Sequence, residues 1–379
     1  MKVVKIGEDC QLFDGDSPVI MLEGGKFYIM SDILKERFSA LRPDVFNFEI
    51  PFNEVYNKYK GQPLNGKKIF MLRHGGGGDI LFMMTGANVL KELYPDMKLG
   101  VAVGSQYVPI LQGSIVDTIH SLPIPLDVWN EYHYHLMFEG IIEDNKEAQE
   151  FNAYDLFMKE MGLDISLVLP EKKIPKLFIS EDEQEKMCQD HSSLKHPKKK
   201  IGIQVASSSP IRNYPYYHYI KVASALIEKG YQVYLFGGGP QMGTIENLIK
   251  EIARDFVMAP DIYNMANYNL RDSIIAASFM DCFIAPDSMF IHIAGALDIP
   301  VIGIYGPFHS DLRMRYFKNA VGIDVDCGCS PCFQHGHFPC HKGDPSPCFS
   351  LISPELIIEA FEKKIEEVIW SKKTLKLAK

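Results

Sequence analysis

The stretch Ile69-Phe-Met-Leu-Arg73-His-Gly-Gly-Gly-Gly-Asp79-Ile80 decides the fold. Its apolar run reads as a buried strand, its glycine tract as a tight turn, and Ile80 to Tyr94 as a helix, after which Leu99-Gly-Val-Ala-Val supplies the next strand. Strand, helix and strand in that order predict a parallel α/β sheet. The same alternation returns downstream. Ile201-Gly-Ile-Gln-Val, Tyr231-Gln-Val-Tyr-Leu-Phe, Phe283-Ile-Ala and Val301-Ile-Gly-Ile-Tyr read as strands, with helices over Tyr216–Lys229, over Met242–Asp255 and from Met289.

The polar region 171–200, with Glu181-Asp-Glu-Gln-Glu-Lys and Lys195-His-Pro-Lys-Lys-Lys, separates the two alternations as a domain boundary does. The expected organisation is an N-terminal β-containing extension (1–65), a Rossmann-like domain (66–190), and a second Rossmann-like domain (191–352) with a Cys-rich loop (327–348). A C-terminal helix (353–379) follows, opened by Ser353 as N-cap, Pro354 and Glu355.

Composition narrows the function. A chain of 379 residues, 46% hydrophobic and 23% charged, is globular and long enough for two to three domains, which excludes disordered, collagen-like and coiled-coil chains. Thirty-nine Lys plus Arg against 48 Asp plus Glu give a net charge of −9, so no global basic field exists and nucleic acid is an unlikely partner. Met1 to Cys10 lacks the pattern of an export signal. The most apolar stretch, Ser273 to Gly306, is interrupted by Asp281, Asp287, His292 and Asp298, so no transmembrane segment and a cytoplasmic location are expected.

Three segments carry candidate chemistry. In the first, the glycines lie at the carboxyl end of a strand, where open α/β sheets bind ligands, and Asp79 falls in the first turn of the following helix. The tract departs from three better-known loops. Its glycines are consecutive and not G-x-G-x-x-G, no G-x-S-x-G elbow accompanies His74-Gly-Gly-Gly, and the near P-loop Gly61 to Lys68 precedes a strand and lacks the Ser or Thr. Asp79 is also readable as a plain capping acid. In the second, Asp287-Ser288-Met289 ends a strand and opens a helix; Ser288 and His292, four apart, share one face near its positive end. A histidine on so apolar a helix is more often an interior residue, and it is the neighbouring Ser288 and the loop Gly306-Pro-Phe-His after the next strand that favour the functional reading. In the third, Ser207-Ser208-Ser209-Pro-Ile-Arg212 offers hydroxyls and a guanidinium suited to phosphate oxygens.

These pieces together, with Gly78-Asp79, Arg212-Asn-Tyr-Pro, Phe236-Gly-Gly-Gly-Pro and Gly306-Pro307 in that spacing, resemble glycosyltransferase family 9, the heptosyltransferases, from about Lys67 to Glu367. The resemblance implies a GT-B fold, two Rossmann-like domains facing a cleft, and inverting transfer of a sugar, most readily heptose, from an ADP-heptose-like nucleotide-sugar donor to an acceptor hydroxyl. It makes Asp79 the general base and sets the donor against Gly77, Gly78, Ser207, Ser208, Arg212, Gly238, Asp287, Ser288, Met289, His292 and Gly306. The acceptor it implies is a glycan, lipopolysaccharide or protein hydroxyl. The chain departs from the family pattern in three places: Arg212 stands where the family usually has Lys, Met289 where it has Gly, and Gln241-Met242 where it tends to have Glu. Fixed dipoles and Arg on the leaving diphosphate remove any strict need for magnesium, and Asp324-Val-Asp326 is a chance spelling.

The late cysteines, Cys329, Cys332, Cys340 and Cys348 with Cys327 as a further candidate and His335, His337 and His341 interspersed, fit a structural zinc or iron site or a metal-free thiol-rich loop. Two other functions share the sequence features: a non-catalytic nucleotide-sugar- or metal-binding module, and a Rossmann oxidoreductase. The sequence leaves the oligomeric state open.

Overall fold

The computed structural model describes residues 1–12, 20–238, 242–254, 260–332, 340, 342–343 and 346–377. The chain forms two compact units, one of residues 1–144 and 154–172, the other of residues 145–153 and 173–379.

The first unit opens with β1 (Lys2–Ile6), the ribbon of β2 (Cys10–Leu12) and β3 (Ile20–Leu22), then β4 (Phe27–Met30), helix α1 (Asp32–Leu41) and β5 (Phe46–Ile50). Ser31 caps α1 by accepting from the Leu34 N–H at 3.1 Å, and the helix buries Leu34 and Phe38. Next come β6 (Lys68–Arg73), α2 (Gly77–Leu93), β7 (Lys98–Val103), β8 (Thr118–Ser121), β9 (Ile124–Pro125), α3 (Leu126–Asn130), β10 (Tyr134–Met137) and α4 (Ala153–Glu160). An antiparallel sheet runs β5-β1-β4-β9 and a parallel one β10-β6-β7-β8. Strand β9 ties residues 124–125 to the N-terminal strands, and Val3, Ile29 and Phe38 share one core with Phe70, Leu72 and Trp129. The described residues of the N-terminal 65 thus pack as part of this unit. Helix α2 is buried along most of its length, as its apolar run from Ile80 to Met84 requires.

The second unit contains α5 (Glu181–Asp190), β11 (Lys200–Gln204), α6 (Tyr216–Glu228), β12 (Gln232–Phe236), α7 (Met242–Arg254), β13 (Ile262–Asn264) and α8 (Leu270–Ala277). It continues with β14 (Cys282–Pro286), α9 (Met289–Ala296), β15 (Val301–Ile304), α10 (Asp311–Met314), β16 (Ala320–Ile323), α11 (Pro347–Ser350) and α12 (Pro354–Leu377). Its strands pair in parallel in the order β13-β12-β11-β14-β15-β16. That is the doubly wound Rossmann order, whose switch point lies between β11 and β14. Helix α12 lays Ile357 and Phe361 into the same core as Tyr214, Ile203 and Ile304. Helix α5 belongs here, held to α8 by Arg271 Nε and Nη2 on the Glu183 carboxylate at 2.7 and 2.8 Å.

The basic run before β11 is neutralised locally. Lys198 pairs with Asp261 at 2.6 Å and Lys199 with Asp281 at 2.5 Å, while Lys200 is buried with its ammonium on the His196 carbonyl. Among the described residues no helix is long and apolar enough to cross a membrane.

Candidate functional site

In the first unit the parallel sheet reverses its strand order between β6 and β10, and both strands deliver charge to that point. Arg73 ends β6 with only 5% of its surface exposed. Its Nη1 donates to the Phe138 carbonyl at 2.8 Å and to Glu139 at 3.4 Å, its Nε to the Gly75 carbonyl, and its Nη2 to both Asp79 Oδ2 at 2.5 Å and Glu143 Oε1 at 2.8 Å. Glu139 also accepts from the His74 N–H at 2.6 Å. Burial opposes the guanidinium charge, but Asp79, Glu143 and Glu139 outweigh it and raise the Arg73 pKa. Three carboxylates against one guanidinium give the cluster a formal charge of −2.

Asp79 sits in the first turn of α2 and bends back over Gly76, whose φ is +77°. A Cβ on Gly76 would lie 2.1 Å from Asp79 Oδ2, so this glycine is required both for its left-handed backbone and for the close approach. Gly77 and Gly78 are the first two residues of the helix. The sequence marked the acid and its turn; it gave no local sign of Glu139 and Glu143, which arrive from beyond β10.

In the second unit the loop after β11 and the turn after β14 meet at the other switch point. Asp287 is 2% exposed, with Arg212 Nη1 at 3.4 Å from Oδ2 and Arg313 Nε at 3.7 Å from Oδ1. Burial pushes the Asp287 carboxyl up, but Arg313 and Arg212 hold it below the ordinary carboxylate value. His292, 2% exposed, is driven down to about 3 by burial, only partly offset by Asp287, so the imidazole is neutral at physiological pH. Arg212 and Arg313 against Asp287 leave about +1 here. Ser288 is the N-cap of α9, yet its hydroxyl caps nothing: Oγ is buried without a hydrogen-bond partner. An unpartnered hydroxyl beside a helix N-terminus and a net positive pair suits an anionic oxygen. Met289 is the first residue of α9 and half-buried.

The other expected donor residues divide. Ser208 Oγ accepts from Arg212 Nη2 at 3.2 Å and so helps aim that side chain. Ser207 is buried and its hydroxyl donates to the Ser209 carbonyl at 2.7 Å, shaping the loop together with Asn213 Oδ1, which accepts from the Ser207 N–H. Gly238 is exposed just past β12; Gln241 lies outside the described residues. The space left by Gly306 is filled by protein, since a Cβ there would stand 2.6 Å from Cys348 Sγ and 2.9 Å from the Phe349 ring. Asp324 accepts from the Ser310 N–H at the start of α10 and Asp326 from the Gly328 N–H, both at 2.7 Å, so each is engaged within the protein. Arg313 escaped sequence reasoning because it rides on the four-residue α10, a helix too short to show periodicity.

The late cysteines converge. Cys327 and Cys329 sulfurs are 3.5 Å apart, and Cys332, Cys340 and Cys348 lie within electrostatic reach of this pair. All are free thiols. Burial pushes Cys348 up to about 12, with the neighbouring Cys327 adding to it, whereas backbone N–H donors at Cys329 and Ser330 outweigh burial at Cys327 and lower it. Sulfur donors in this number suit zinc or iron chemically, although no three His, Cys, Asp or Glu side chains among the described residues stand in a metal-holding arrangement. His335, His337 and His341 lie outside the described residues.

Two parallel α/β units, each with charged side chains gathered at its strand switch point, place the chain in the GT-B fold class. Residues 154–339, just under half of the chain, match the model of glycosyltransferase family 9 (heptosyltransferase). The chain is 32% identical over 222 residues to lipopolysaccharide heptosyltransferase 2 of Salmonella typhimurium, a match covering 57% of this chain and 60% of the relative. The match thus spans about three fifths of that relative's length. In structure it is similar to a family 9 glycosyl transferase from Veillonella parvula, with a TM-score of 0.65 and 14% identity over 81% of this chain and 99% of that one. It is similar also to the iron-containing dodecameric glycosyltransferase TibC of enterotoxigenic E. coli, with a TM-score of 0.56 and 12% identity over 97% and 96%. TibC has also been solved with ADP-D-beta-D-heptose. At these identities the structural likenesses establish the fold.

Proposed function

We propose that the protein transfers heptose from ADP-heptose to a saccharide hydroxyl with inversion at the anomeric carbon. One observation carries the reading: the partnerless Ser288 hydroxyl at the N-terminus of α9, set beside the Arg212–Asp287–Arg313 cluster at the switch point of the second sheet. In this reading the diphosphate of the donor is held by Ser288, the N–H groups opening α9 and Arg212. Asp287 is a positioning residue: buried between two guanidiniums, it fixes Arg212. Neutral His292 offers at most one N–H and no charge. As the sugar–phosphate bond breaks, the electron pair leaves with the diphosphate, where these dipoles stabilise it. Asp79 takes the proton of the attacking hydroxyl. The names of the curated relatives support a lipopolysaccharide- or lipooligosaccharide-type acceptor, and a nucleotide-sugar donor suits a cytoplasmic location. The converging thiols would hold a structural zinc or iron that cross-links the loop before α11; no catalytic step is assigned to it.

Thermal shift with ADP, GDP, UDP and NAD, followed by transfer assays with ADP-heptose, tests this reading. ADP is expected to stabilise the protein most, and Asp79→Asn to lower turnover by about 10²- to 10⁴-fold while ADP still binds. Equal turnover by wild type and Asp79→Asn defeats the base assignment; stabilisation by NAD alone returns the protein to the oxidoreductases.

A further inference from the structure

A buried arginine bonded to a candidate base poses a chemical problem. An aspartate paired closely with a guanidinium is held ionised and poorly basic, because taking a proton breaks the ion pair. A general base works best when its proton affinity is not suppressed in this way. The first unit contains a feature that answers the problem. Asp79 and Glu143 do not bind separate nitrogens of Arg73; both accept from Nη2, at 2.5 and 2.8 Å. Glu139 loads Nη1 from the other side at 3.4 Å. The Arg73 side chain is 6% exposed, whereas the Glu143 and Glu139 side chains are 42% and 38% exposed and that of Asp79 17%.

We infer that Glu143 is a positioning residue for the candidate base: by sharing Arg73 Nη2 it offsets the guanidinium's pull, so that Asp79 is aimed by the arginine without being closed off by it. The inference rests on the reading of Asp79 as base. Arg73 from β6 faces Asp79, and Glu139 and Glu143 from the segment after β10 face it through that arginine; His74 is another titratable residue of the turn. Two carboxylates on one nitrogen lie close enough to repel, and the repulsion is relieved when Asp79 is protonated. No atoms are exchanged beyond the acceptor proton, which goes to an Asp79 oxygen. Glu143 stays ionised and takes over the Nη2 bond as Asp79 lets go. Aim and basicity are thereby supplied by different partners, Arg73 for the first and Glu143 for the second.

The test compares Glu143→Gln, Glu143→Asp and Asp79→Asn with the wild type in full-length protein. In the pH–rate profile for ADP-heptose turnover, Glu143→Gln is expected to move the acid limb to lower pH by about half a unit to one unit, as loss of a nearby like charge does. It should also lower kcat at neutral pH by about threefold to tenfold through reduced basicity. KM for the donor and the melting temperature should be unchanged, and Glu143→Asp should restore most of the shift. A 13C-carboxyl NMR titration, with the Asp79 signal identified by its loss in Asp79→Asn, reads the same midpoint with no acceptor present. An acid limb and a midpoint that both stay put in Glu143→Gln, beside an inactive Asp79→Asn, overturn the inference alone. An Asp79→Asn protein that still turns over donor removes the base, and the inference with it.

Discussion

At the scale of single residues, burial decides what a side chain can contribute. His292 shares a helix face with Ser288, yet it lies inside the second unit with its ring edge-on to Phe317 at 6.1 Å. Its folded-state pKa is about 3 against an ordinary 6.5, so the unfolded chain takes up a proton that the folded one refuses. The stability linked to neutral His292 is therefore complete above about pH 6.5 and declines as pH falls toward 3, by about 1.4 kcal/mol per pH unit for one proton. Asp287, also lowered, loses its contribution only below its ordinary 3.8, which leaves pH 5 to 6.5 to the histidines. Urea denaturation at pH 7, 6 and 5 should show a shallower pH dependence in His292→Gln than in wild type. His218, lowered by burial as well, stays common to both proteins. Identical slopes would show that the imidazole is charged in the folded state.

At the scale of elements, turns carry more of the site than helices or strands do. The parallel strands are legible in the sequence because both faces are covered and their apolar runs are continuous. Those predicted from Ile69 to Val301 appear within a residue or two of their expected ends. Helix α1 is not legible: it buries only Leu34 and Phe38 and sits in a stretch punctuated by proline and asparagine. The glycine turn is legible as a turn, but why its second glycine must be glycine emerges only when Asp79 is seen folded over it. Gly76→Ala would force a Cβ into that carboxylate and demand a positive φ of an L residue. The expected result is a stability loss of about 1–3 kcal/mol together with a fall in kcat as large as for a displaced base, the donor KM remaining near wild type. Steady-state kinetics with a melting curve separate the two effects, and a variant with unchanged kcat would show that the orientation of Asp79 is not set by this turn. Glu139, Glu143 and Arg313 were beyond sequence reasoning for a common reason. Each acts through a partner dozens of residues away, and no local spacing encodes such a pair.

At the scale of the whole molecule, each unit has its own hydrophobic core among the described residues, the first around Trp129 and Phe70, the second around Tyr214 and Ile284. The thiols belong to the second, where Cys348 packs with Phe349 in the core and closes on Gly306. Elemental analysis of protein purified without added metal separates the two readings of the loop: close to one equivalent of zinc or iron marks a metal-bearing loop, whose melting a strong chelator would then lower. Less than about a tenth of an equivalent of both would assign the loop to packing alone, because four thiolates bind such ions tightly.

The second unit also recruits residues 145–153 from the middle of the stretch that builds the first. Asn152, fully buried, donates from Nδ2 to the Asp311 carbonyl at 2.7 Å, two residues before the arginine that faces Asp287. A truncated protein starting at residue 173 would therefore lack a peg that pins α10 in place. Splitting this protein for separate expression is expected to succeed only if that nine-residue segment is supplied in trans or grafted back.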